Sequence, residues 1–116
     1  MYSVNIMGLI LILGGLIFLI AGYIQHRFPP KKINHLYGYR TSASMKSQES
    51  WDFAQQYSAK KMMKMSNYII TLGLLSWIVD LQTPWSDGIA ITIVTVGPII
   101  MLFKVESELK KSFPKK

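Results

Sequence analysis

The chain has no cysteine, which excludes disulfides, thiolate metal sites and cysteine nucleophiles. Acidic side chains are scarce as well: 6 Asp and Glu stand against 13 Lys and Arg in 116 residues, a formal net charge of +7. The histidines, His26 and His35, lie on either side of Pro29-Pro30 with no acidic companion at ligand spacing, so neither a metal site nor a cofactor is expected. No nucleophile, base and metal ligand gather at one depth, which argues against an enzyme. Lys and Arg are absent before Arg27 and absent again between Lys64 and Lys104. Those two gaps hold the long apolar runs.

Val4 to Ile24 carries no charged side chain, and about 20 such residues at about 1.5 Å each cross the hydrocarbon of a bilayer as a helix. A cleaved signal peptide would need a basic start, whereas Met1 to Asn5 has neither Lys nor Arg. Two shorter runs follow, Met65 to Leu81 and Gly88 to Val105. The connector from Asp80 to Gly88 contains Pro84 and Asp87 and reads as a tight turn, with Ser86 or Asp87 as the cap of the last helix. Trp77 and Trp85 flank it as an aromatic belt would.

The expected architecture is therefore an all-α integral membrane protein, one membrane domain over 1–116. It has spans at about 4–26, 66–82 and 87–105, a loop and amphipathic helix over 27–65, and a basic tail over 106–116. All 13 Lys and Arg then fall on one side, between Arg27 and Lys64 or from Lys104 onward. The positive-inside tendency makes that side the cytoplasm, with the N-terminus outside and the C-terminus inside, in a multi-pass protein of the bacterial cell membrane.

Within the first span Gly8, Gly15 and Gly22 recur every seven residues. A face without side chains lets another helix approach closely, either the hairpin of the same chain or a second copy in a homo-oligomer. Pro98 is expected to kink the third span. Asp80 is the acidic residue inside an apolar run, and Thr71, Ser76, Thr92 and Thr95 are the other polar groups that a small transporter or channel subunit could use.

The central segment is less generic. Phe28-Pro29-Pro30 ends the first helix at the membrane surface. A polar and aromatic loop, Asn34-His-Leu-Tyr-Gly38-Tyr39-Arg40-Thr41, follows. Ser47 with Glu49 in the first turn starts a helix on which Trp51, Ala54, Ser58, Met62 and Met65 share a face. Run straight to Asp80 it would be about 50 Å long, so it protrudes from the bilayer or bends, with Ser66-Asn67 the expected place for the bend.

This loop, with Met45-Lys46-Ser47, Glu49, Trp51, Phe53-Ala54 and the basic run beyond, resembles the signature of the SdpI family of bacterial membrane proteins. The likeness covers roughly 25–105, in a short form lacking the additional multi-span N-terminal region of larger members, and with Ser42 where the family commonly has Pro. It implies immunity: protection from a secreted antimicrobial peptide toxin by binding it at the membrane, and in the founding members the holding of a soluble transcriptional repressor there. The residues it singles out are Asn34, Gly38, Tyr39, Arg40, Thr41, Trp51 and Ala54. The alternatives to immunity are a small transporter or channel subunit, or a membrane scaffold that sequesters a regulator.

The residues leave two readings open. The Arg40 guanidinium could take a lipid phosphate or a partner's acidic group with the flanking tyrosines stacked on it, or tie its loop to Glu49 or Asp52. Trp51 could touch a ligand, or anchor and pack. The lysines match the anionic inner leaflet of the lipid bilayer and need no direct nucleic-acid partner.

Overall fold

A computed structural model describes residues 5–79 and 83–114. Among them are three α-helices, α1 (Ile6–Arg27), α2 (Gln48–Ile78) and α3 (Ser86–Ser112), a 3-10 turn at Ser44–Lys46, and no strand. Val4 at the expected start of the first span, residues 80–82 at the expected end of the second, and Lys115 and Lys116 of the tail lie outside the described residues.

Local chemistry sets the helix ends. The Asn5 side chain accepts from the Gly8 N–H at 2.9 Å and caps α1. At the other end the Phe28 N–H closes the last turn on Ile24 O at 2.7 Å, and Pro29 and Pro30 have no N–H with which to continue. Ser47 caps α2 in a capping box with Ser50, and Glu49 lies in the first turn, where the helix dipole favours it. For α3 the expectation is corrected. The cap position is Trp85, without a side-chain bond, because the Ser86 N–H and hydroxyl both turn back to Thr83 O, at 3.1 and 2.9 Å, and the helix is entered before Asp87.

The helices pack antiparallel. Gly22, Gly15 and Gly8 of α1 face Ala59 and Met63, then Ser66 and Ile70, then Ser76 and Trp77 of α2. A Cβ on Gly15 would lie 2.5 Å from Ile70 Cγ1 and 3.3 Å from Ser66 O, so this face of α1 is occupied by α2 of the same chain. α3 closes the bundle, with Ala90 packed beside Leu11 and Ile69. It continues as helix through Pro98. Helix α2 is unbroken at Ser66-Asn67, where the Ser66 hydroxyl donates to Met62 O at 2.6 Å, and at about 1.5 Å per residue it is about 46 Å long.

The molecule is a rod, 60 × 26 × 20 Å. Its long faces are apolar: Leu13, Ile17 and Ile20 on α1 and Ile91, Ile99 and Phe103 on α3 all point outward. α1 and α3 are long and apolar enough to cross a membrane, and only 22% and 17% of their apolar windows are buried within the chain. A core helix of a soluble protein would be mostly covered; these expose their apolar residues, as contact with lipid requires. At one end of the rod the last turns of α1 and α3, the first half of α2 and residues 28–47 build a polar cap.

Candidate functional site

The cap is organised around Tyr39. Its backbone is gripped by the buried side-chain amide of Gln55 on α2, whose Oε1 accepts from the Tyr39 N–H at 2.7 Å while its Nε2 donates to Tyr39 O at 2.8 Å. A loop strand has no ladder partner, and a buried unpaired peptide group is costly, so one side-chain amide supplies both missing bonds. Gln55 is itself held from α1, since Gln25 Nε2 donates to Gln55 O at 2.9 Å and to Ser58 Oγ at 2.7 Å. Two glutamines thus join α1, α2 and the loop.

The Tyr39 ring turns inward. Its hydroxyl donates to Glu106 Oε2 on α3 at 2.7 Å, and the Thr41 hydroxyl donates to the same oxygen at 2.7 Å. Burial, and then the hydrogen bond and negative charge of Glu106, push the Tyr39 phenol far above its ordinary value. It therefore stays protonated, and a donor, at any working pH. Ser44 completes the turn: its hydroxyl donates to Tyr39 O at 3.0 Å and accepts from the Thr41 N–H at 2.8 Å.

Two further ties close the loop. Trp51, fully buried, donates through Nε1 to Pro30 O at 2.7 Å, which pins the exit from α1 to the first turns of α2. Asn34 Oδ1 accepts from the N–H groups of Leu36 and Tyr37, at 2.9 and 2.8 Å, and bends the chain. Gly38 follows at φ +107°, a conformation open to glycine, and a Cβ there would fall 2.5 Å from Gln55 Oε1.

The box residues therefore divide. Tyr39 is buried, Ala54 is fully buried in the same cluster as Tyr39, Val105 and Leu109, and Gly38 and Thr41 are partly covered. Arg40 is exposed. The tie from Arg40 to Glu49 or Asp52 is not made: its Nη1 donates to His35 O within its own loop. Nor does Tyr39 stack on the guanidinium, because its ring is committed to Glu106. Among the described residues Arg40 is the one charged group of the box, and it is exposed, with a hydrogen bond to His35 O of its own loop.

Sequence reasoning missed Gln25, Gln55, Ser44 and above all Glu106, read as part of a basic tail. α3 runs on as helix to Ser112 because Val105 and Leu109 are buried against the cap and Phe113 packs on the Phe53 ring at 5.6 Å. One signal was available: Glu106 is an acid in a basic segment on the same side as the box. The hydroxyls weighed for a transport path bond within their own helices, Thr71 to Asn67 O, Thr92 to Gly88 O and Thr95 to Ile91 O, each at 2.7 Å and each on an exposed residue. Ser76 does the same to Gly73 O.

Outward apolar faces and a polar cap at one end define a helical membrane protein. The sequence profile of the SdpI/YfhL protein family matches residues 31–104, and the chain belongs to that family. It is 45% identical over 64 residues to "Uncharacterized protein YfhL" of Bacillus subtilis (strain 168), an alignment covering 55% of this chain and 58% of that relative's length. No solved structure matches.

Proposed function

We propose that this protein is an immunity protein of the bacterial cytoplasmic membrane, protecting it from a secreted antimicrobial peptide by binding rather than by catalysis. In this reading α1, the second half of α2 and α3 are three spans, with the N-terminus outside. The cap is cytoplasmic, since the described Lys and Arg gather at its end of the rod. The observation that carries the proposal is the division within the family box: Gly38, Tyr39 and Thr41 are spent on holding the loop, and Arg40 is left exposed on a rigid support. A guanidinium so presented suits a carboxylate or C-terminus of a membrane-active peptide. The same face is the one a soluble repressor would meet.

Survival of a peptide-sensitive bacterium expressing this chain, beside an Arg40→Ala form of equal membrane abundance, tests it. Protection by the parent chain, and its loss in Arg40→Ala, is the expected result. Equal protection by both moves recognition away from the cap, and no protection by either against a broad panel of membrane-active peptides overturns the immunity reading.

A further inference from the structure

Away from the cap's hydrogen-bonded centre, a cleft of about 330 Å³ lies between α2 and α3, and among the described residues α1 contributes nothing to it. Its rim carries Lys61, Lys64 and Lys104 with Tyr68, and its floor is apolar, with Met65 and Gly97 among the residues lining it. Among the described residues no Asp or Glu lines it.

The placement of these residues follows from the sequence as much as from the fold. Lys64 is the last charge before the apolar run of α2, and Lys104 is the first after the apolar run of α3. Antiparallel packing brings these two boundaries opposite one another, so that two ammonium groups from different helices share one opening at one depth. Lys61 joins them one turn further out, steadied over the Tyr57 ring at 5.4 Å. Below the lysines the groove deepens because Gly97 has no side chain: a Cβ there would touch only the flexible ends of Met65, at 3.4 Å, and Ile69, at 3.8 Å.

We propose that this cleft binds one anionic glycerophospholipid. Its phosphate sits among Lys61, Lys64 and Lys104, with the Tyr68 hydroxyl available as a further donor, and one acyl chain lies over Gly97. Three cations without a carboxylate among the lining residues give the charge complementarity. An apolar floor running from the charged rim toward the hydrocarbon suits a molecule with an anionic head and an apolar tail, where a free phosphate would leave the floor empty. The proposal rests on the membrane placement of the chain and not on the immunity reading.

Native mass spectrometry of the full chain in neutral detergent, titrated with phosphatidylglycerol or with phosphatidylcholine, tests it. The expected result is one retained phosphatidylglycerol per chain and little phosphatidylcholine. Lys64→Gln with Lys104→Gln should reduce retention on the order of tenfold, whereas Lys110→Gln with Lys111→Gln, which removes the same charge elsewhere, should leave it unchanged. Gly97→Leu keeps every lysine but fills the floor, and should also lower retention. Equal losses from the two lysine pairs would reduce the site to general surface attraction and overturn the proposal. Displacement of the lipid by millimolar inorganic phosphate, or full retention in Gly97→Leu, would refute the acyl-chain half. Each variant is compared at matched helix content by circular dichroism, so that a folding defect is scored separately.

Discussion

The two ends of α2 are held by different physics. In its second half, against α1 and α3, the contacts are close approaches of glycine and small side chains, and the hydroxyls bond back to their own helices. In its first half it carries a loop whose peptide groups have no regular partners, and buried polar side chains supply them: Gln55 to Tyr39, Ser44 to Thr41, Trp51 to Pro30. A bundle in lipid gains little from hydrophobic burial between helices and relies on shape. A cap in water must satisfy its backbone and relies on directed bonds. Substitutions should therefore fail differently in the two halves, by steric misfit in one and by loosening of a loop in the other.

The largest effect should come from Trp51→Ala, which removes a fully buried ring and orphans Pro30 O. A loss of about 3–5 kcal/mol is expected, read as a lower melting temperature in detergent together with rapid proteolysis between residues 28 and 47 while α1 and α3 stay protected. Protection of that loop in the variant would mean that the cap does not depend on this tie. Gly15→Leu attacks the other half. With Ile70 and the Ser66 carbonyl in the way, overpacking of at least about 1–3 kcal/mol is expected, and engineered cysteine pairs between α1 and α2 should crosslink poorly although the loop stays protease-resistant.

Next in size, Glu106→Gln keeps the shape but replaces charge-assisted hydrogen bonds with neutral ones. A loss of about 1–2 kcal/mol is expected, and Tyr39→Phe made in the same background should cost less than it does alone. Additive losses would show that the Tyr39 hydroxyl and Glu106 do not act together. Arg40→Ala is the smallest on the stability scale, within about 0.5 kcal/mol at an exposed position, so a larger drop in melting temperature would mean that Arg40 holds the cap after all.

Much of the architecture was legible. A gap in charge of bilayer length marks α1, and Pro29-Pro30, Ser47 and the small-residue period mark where helices stop, start and meet. The box Gly38-Tyr39-Arg40-Thr41 was legible as a signature but not in its internal division of labour. Tyr39 was read as a neighbour of Arg40, yet its hydroxyl goes to Glu106 on α3; Arg40 was read either as a recognition group or as a tie to Glu49 or Asp52, and it is exposed and bonds to His35 O instead of to those acids. Gln55 gave no signal because an uncharged amide on a helix face is ordinary until a loop is laid across it.

By itself the sequence determined where charge is forbidden and where backbone cannot be helical, because the cost of a charge in hydrocarbon and the missing N–H of proline are local properties of each residue. Only the tertiary structure decided which polar groups meet. The Glu106 carboxylate lies 67 residues from the Tyr39 hydroxyl that it receives, and the packing of α3 on α2 brings them together, as it brings Lys64 and Lys104 to one cleft. Hydrogen bonds and charge clusters act over a few ångströms of space, which spacing along the chain does not encode.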